Sequence, residues 1–179
     1  MSRRLLGAVL AGGRSSRFGT DKAEALWQGK PLVQHALDAL RPLVDDVVLC
    51  GRAYGGALAI PDRPEAGMGP LAGLNAALHH AAAQGFAAVL CVGCDTPLLP
   101  AALLERLSMS PGPCYVAGLP VIGYWPAALA SQLDVFLSED RKHAVRAWAA
   151  SVAADAVDWP PLPNINEPGD IGALPKAPR

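Results

Sequence analysis

Residues 5–22 read LLGAVLAGGRSSRFGTDK, and the fold turns on how this run divides. Its first part, LLGAVL, is apolar throughout, as expected of a short strand buried on both faces. Its second part carries adjacent glycines, Gly12 and Gly13, and three cations, Arg14, Arg17 and Lys22, with little side-chain bulk. Glycines permit backbone conformations closed to other residues and let main-chain amides approach a ligand closely. Successive N–H groups then form a concave nest for an anion such as phosphate. The spacing is neither GxGxxG nor GxxxxGK[ST], so the two commonest phosphate-loop readings are excluded. The competing reading is a surface turn with solvated cations, but the charge density exceeds what a turn needs.

Outward from this run, strand-like and helix-like segments alternate. PLVQHALDALRPL (31–43) places Leu32, Val33, Ala36, Leu37 and Leu40 on one helical stripe, with Pro31 suited to a first turn. DVVLCG (46–51) reads as a second strand, and GPLAGLNAALHHAAAQG (69–85) as an alanine-rich helix closed by glycine. FAAVLCVGCD (86–95) is a third, almost wholly apolar strand, followed by a helix over PAALLERL (100–107). Beyond it, 114–125 suggests two short strands split by Pro120. Helices are expected near 126–137 and 141–153, then a strand at 155–159 and a tail, NINEPGDIGAL. This alternation predicts a single α/β domain over 1–179, Rossmann-like, with an open, mostly parallel sheet and helices on both faces. Residues 1–110 would form one half of the site and 111–179 the half for a second substrate.

Composition agrees. The chain has 179 residues, 51% hydrophobic and 17% charged, enough for a packed core and too apolar for disorder. A net charge of −1 argues against a general nucleic-acid binder, although Arg3, Arg4, Arg14, Arg17 and Lys22 make the amino-terminal segment locally basic. Arg3-Arg4 followed by LLGAVLA imitates a secretion signal. The continuation GGRSSRFGTDK favours a first core strand instead. No apolar run approaches the ~20 residues of a membrane span. Cys50, Cys91, Cys94 and Cys114 suggest no disulfide framework, and the expected compartment is the cytoplasm.

In sheets of this kind ligands bind beyond the carboxyl ends of the strands. The unusual residues fall there: the glycine loop, then Cys50-Gly51-Arg52, then Asp95-Thr96-Pro97. Asp95 ends an otherwise apolar strand, where a carboxylate either caps the following helix or binds metal. Mg²⁺, which takes one or two carboxylates and leaves other positions to substrate phosphates, is the favoured reading beside a cationic loop. Asp62, in IPDRPEAGMGP, is a second candidate or an ordinary turn aspartate. Cys91 and Cys94 imitate a CxxC pair, but on a strand they would face opposite sides of the sheet, so core packing is expected. The four histidines sit in predicted helices with no ligand partner at useful spacing. No Ser-His-Asp-like set is visible. Phosphoryl-type transfer needs little covalent help, only positioning, cations and a metal. Lys22, Asp95 and Arg17 are therefore the catalytic candidates.

LAGGRSSRFGTDKA, GPLAGL, CDTPLLP and NIN-EP-GD, in that order over residues 5–172, resemble the molybdenum cofactor guanylyltransferases. These belong to the wider group of nucleotidyltransferases with a nucleotide-diphospho-sugar-transferase-like fold. The resemblance implies transfer of GMP from GTP, with Mg²⁺, to the phosphate of molybdopterin, releasing pyrophosphate. GTP and molybdopterin would be the substrates and molybdoenzyme maturation proteins the partners, with no nucleic acid and no membrane. It implies that Leu10, Ala11 and Gly12 border guanine and that Lys22 meets the nucleotide phosphates; Gly13 and Arg14 remain nucleotide-binding candidates from the loop's own chemistry. Asp62 would stand on the nucleotide side, Asp95 would hold Mg²⁺, and Asn164 and Asn166 would line the acceptor side. Arg141 and Lys142 would meet the pterin phosphate or belong to a solvated helix face. Three positions depart from the family pattern: Cys50 replaces an asparagine, Glu167 a threonine, and Leu119-Pro120 a histidine-proline pair. A cytidylyl or sugar-phosphate transferase, or a non-catalytic nucleotide or cofactor carrier, are the rival readings.

Overall fold

A computed structural model describes residues 3–12, 21–139 and 143–175. Its centre is strand β1 (Leu5–Leu10), flanked in parallel by β4 (Asp46–Cys50) and β6 (Ala88–Gly93). Because side chains alternate across a strand, Leu6 and Ala8 enter one core and Leu5 and Val9 the other. Residues 5–10 are thus a first core strand, as the glycine-rich continuation implies.

Among the described residues the sheet has seven strands. β5 (Leu58–Ile60) joins β4 in parallel at one edge, and β8 (Gly123–Pro126) runs antiparallel to β6. β7 (Cys114–Val116) then pairs antiparallel with β8 and parallel with β9 (Asp155–Val157), giving the order β5-β4-β1-β6-β8-β7-β9. On one face α2 (Pro70–Gln84), α4 (Ala130–Ser138) and α5 (Val145–Ser151) cover a core containing Trp125, Trp148 and Phe136. On the other, α1 (Leu32–Leu40) and α3 (Ala101–Ser108) bury Leu37, Leu40, Leu103 and Leu107. The α1 stripe is the predicted one, with Leu32, Val33, Ala36, Leu37 and Leu40 all buried. Gly85 closes α2 at φ 74°, a left-handed conformation that glycine adopts without strain.

The structure differs from the sequence reading in four places. LWQGKP forms a small hairpin of β2 (Leu26–Trp27) and β3 (Lys30–Pro31). β5 is an edge strand without a core-facing apolar run. The helix expected over 141–153 begins only at Val145, which leaves His143 outside it. The expected tail contains α6 (Pro168–Ala173), and Ile165 and Leu174 bury against Trp27 and Leu32 in a third core cluster. This last contact is what returns the carboxyl-terminal segment to the strand ends.

Candidate active site

The carboxyl ends of β1, β4 and β6 open into a cleft of about 680 Å³. Leu10, Ala11, Gly12, Lys22, Asp62 and Asp95 all line it. Two loops meet at its floor. A β-carbon at Gly51, where φ is +84°, would lie 2.5 Å from the Gly12 Cα, and one at Gly12 would lie 2.9 Å from Asp62 Oδ2. Only glycine permits this approach. It brings the ends of β1 and β4 together and seats the Asp62 carboxylate over them. The resemblance puts guanine against Gly12; in the folded chain Asp62 and Gly51 already occupy the near side of that glycine.

Gly73 of α2 repeats the pattern. A β-carbon there would approach Leu10 Cδ2 at 3.1 Å and Cys50 Cβ at 3.2 Å, so the GPLAG motif lets α2 pack directly on the strand ends. Gly69 and Pro70, at the positive amino-terminal end of α2, also line the cleft. Asp62 receives no hydrogen bond from any described residue, and burial raises its pKa above the usual carboxylate value. Among the described residues it is an acceptor without a donor, facing a cavity.

Across the cleft, Lys22 Nζ stands 3.4 Å from Asp95 Oδ2. Asp95 caps no helix: α3 begins at Ala101 with Pro100 before it and no side-chain cap. A β-carbon at Gly93 would come within 2.6 Å of Asp95 Oδ1, so the glycine of VGCD makes room for the carboxylate. Ile165 N–H donates to the Asp95 carbonyl at 2.8 Å. With its amide turned to satisfy both ends, Asn164 donates to the Asp95 carbonyl at 3.1 Å and to its carboxylate at 3.2 and 3.3 Å. Asn166 is exposed, and its N–H donates to Asp170 at 2.7 Å. The Asn-x-Asn pair therefore divides: Asn164 joins Asp95, whereas Asn166 shapes the entry to α6.

Sequence reasoning missed the support of Lys22. Asp21 accepts from Ala23 N–H at 3.1 Å and so starts the short turn that carries Lys22. Arg52 grips both Asp21 carboxylate oxygens and reaches Glu24 at 3.2 Å. The Arg52 guanidinium lowers the Asp21 pKa, and Asp21 raises that of Arg52. The signal was present in the cation after Cys50-Gly51, whose partner could not be read. Gly13, Arg14 and Arg17 lie outside the described residues, as do Arg141 and Lys142.

All four cysteines are free and buried. Burial pushes the Cys91 thiol up to about 12 and Cys94 to about 11, and raises Cys50 and Cys114. Cys91 and Cys94 belong to opposite cores, as strand alternation requires, so the pair is neither redox centre nor metal site. Among the described residues no group of three or more His, Cys, Asp or Glu is arranged to hold a metal ion. A lone carboxylate does fit Mg²⁺, which shares its coordination between one or two carboxylates, water and substrate phosphate. Among the described residues no helix is long and apolar enough to cross a membrane.

The cleft, at the ends of parallel strands and holding a Lys–Asp pair, sits in the fold of the nucleotide-diphospho-sugar transferases, and the family match makes the chain an α/β nucleotidyltransferase. The MobA-like NTP transferase domain matches residues 7–157, and the chain belongs to that family. It is 36% identical to the molybdenum cofactor guanylyltransferase of Sinorhizobium fredii, covering 95% of this chain and 90% of that protein. Its fold matches molybdopterin-guanine dinucleotide biosynthesis protein A from Archaeoglobus fulgidus with a TM-score of 0.75 at 21% identity, over 94% of this chain and 95% of the other. A Mycobacterium tuberculosis protein solved in complex with manganese matches with a TM-score of 0.64 at 17% identity, over 96% and 97% of the two chains.

Proposed function

We propose that this nucleotidyltransferase moves GMP from GTP to the phosphate of molybdopterin, with Mg²⁺, and releases pyrophosphate. The observation that carries the proposal is the convergence of Asp95, Lys22 and Asn164 opposite the glycine-lined wall of Leu10, Ala11, Gly12 and Asp62. One side is charged for phosphate and the other is open main chain suited to a base. A phosphate oxygen of the pterin attacks the α-phosphorus of GTP. The bond from that phosphorus to the α,β-bridging oxygen breaks, and pyrophosphate leaves with its electron pair. The attacking phosphate is ionised at neutral pH, so no general base is required, in keeping with a sequence that carries no Ser-His-Asp-like set.

Lys22 turns from Asp95 to the triphosphate and offsets charge developing on the leaving group. Asp95 is the residue that would hold Mg²⁺, which when bound would neutralise phosphate charge and orient the triphosphate. Gly13, Arg14 and Arg17, outside the described residues, are the further phosphate-binding candidates of this proposal. Asp62 accepts from the nucleoside, and main-chain groups of residues 10–12 pair with the guanine edge. A site built on such hydrogen bonds rejects bases that leave them unmade. Asn164 orients Asp95 toward the acceptor, Asn166 stands at the outer acceptor side, and residues 111–179 supply the pterin's half of the site. Molybdoenzyme maturation proteins are the expected partners, and the cytoplasm the expected compartment.

The test is product identification. Incubation with molybdopterin, GTP and Mg²⁺ should yield a guanine dinucleotide of the pterin by mass. Unchanged substrates, or a product only from CTP, would overturn the proposal.

A further inference from the structure

Behind the cleft, from residues that do not themselves line it, a cluster joins α2, α4 and the loop after β5. Asp134 of α4 receives Arg63 Nε at 3.1 Å and Arg63 Nη2 at 3.3 Å on its two oxygens. Asn75 of α2, fully buried, donates its amide to Asp134 at 2.8 Å and also faces the Arg63 carbonyl at 3.5 Å. His79, one helical turn further on, places Nε2 2.8 Å from Asp134 Oδ2. Arg63 N–H donates to the Ala72 carbonyl at 3.1 Å. Arg63 is thus held by its N–H, its carbonyl and its guanidinium.

The proposed chemistry uses none of these groups, and an ordinary surface pair would not need them. An exposed Arg–Asp pair is worth little by itself. A buried amide spent on the same two residues indicates that the position of Arg63 matters. Its neighbour explains why. Asp62 projects into the cleft against the glycines at 12, 51 and 73, with no described donor to hold its carboxylate. The same loop sends Ala66 and Gly67 to the cleft wall. The glycines define where Asp62 can go, but no described residue on the cleft side pulls it there.

We propose that Asp134 is a positioning residue for nucleotide binding, acting through Arg63 to set Asp62 in the cleft. The inference rests on the assignment of Asp62 to the nucleotide side. It adds that α4, from the carboxyl-terminal half of the chain, tunes nucleotide affinity without touching the nucleotide.

The experiment is a double-mutant cycle read by calorimetric titration with Mg²⁺ and whichever of the four nucleoside triphosphates the native chain binds most tightly. Asp134→Ala should weaken binding on the order of 10-fold, Asp62→Ala at least as much, and the double variant no more than Asp62→Ala alone. Lys30→Ala, which breaks only the exposed pair with Asp38, should bind as the native chain does. General loosening of the fold would weaken binding equally in both backgrounds, so the coupling separates positioning from support. If Asp134→Ala does not fold, Asp134→Asn and Arg63→Lys take its place, with a smaller loss that likewise vanishes in the Asp62→Ala background. Multiplicative losses, or native affinity in the Asp134 and Arg63 variants, would overturn this inference alone. Native affinity in Asp62→Ala would overturn it together with the assignment of Asp62.

Discussion

At the scale of single residues, the site is made as much by missing side chains as by present ones. Gly93 makes room for Asp95, and Gly12, Gly51 and Gly73 make room for Asp62. Asp95→Asn keeps the shape but removes the charge that pairs with Lys22 and that, on the proposal, would neutralise Mg²⁺. It should lower turnover roughly 100-fold or more with an unchanged melting temperature. Near-native turnover at saturating Mg²⁺ would remove Asp95 from the metal role. Asp134 offers a separate residue-level check. Arg63, then Asn75 and His79, hold its pKa at about 2, against an ordinary 3.8. A carboxylate with a lowered folded-state pKa contributes stability above its unfolded value and loses it as pH falls. The native chain should therefore lose more stability than Asp134→Asn between about pH 4 and pH 2. Parallel acid limbs in chemical denaturation would contradict this. The side chain is 36% exposed, so solvent screening keeps the difference small.

At the scale of elements, legibility followed the length and continuity of apolar runs. β1, β4, β6, α1 and α2 were readable because their patterns are long and buried on the faces a doubly wound sheet demands. β5 was not: two of its three residues are exposed, and only pairing with β4 makes it a strand. α6 was hidden by Pro168 and Gly169, and is held by Asp170, which accepts from the N–H groups of Asn166 and Glu167 at 2.7 and 2.8 Å. Lys22 and Asp95 share one cleft because topology sends strand ends to one edge, whereas Arg17 lies outside the described residues. The Arg52–Asp21 and Arg63–Asp134 clamps were not legible, because they join residues far apart in sequence with no shared periodicity. The carboxyl-terminal segment makes a testable case. Ile165 is fully buried in the third cluster and its N–H binds the Asp95 carbonyl. Ile165→Ala should cost about 2–5 kcal/mol of stability. It should also reduce turnover below native at temperatures where the variant is folded, since Asn164 loses its anchor. Full turnover in a folded, destabilised variant would separate this segment from the site.

At the scale of the whole molecule, one seven-stranded sheet carries both halves of the chain, with the antiparallel β6–β8 pairing as the seam. The parallel half supplies Leu10 to Gly12, Lys22, Asp62 and Asp95; the carboxyl-terminal half returns Asn164 to Asp95 and Asp134 to Arg63. Nucleotide choice is thus expected to be a property of the assembled cleft. Guanylyl transfer to the pterin is decided by measuring pyrophosphate release from GTP, CTP, ATP and UTP in turn, with Mg²⁺, in the presence and absence of molybdopterin. Release from GTP should stand well above the other three, and occur only when molybdopterin is present. Release that favours CTP, or that does not depend on molybdopterin, would contradict guanylyl transfer.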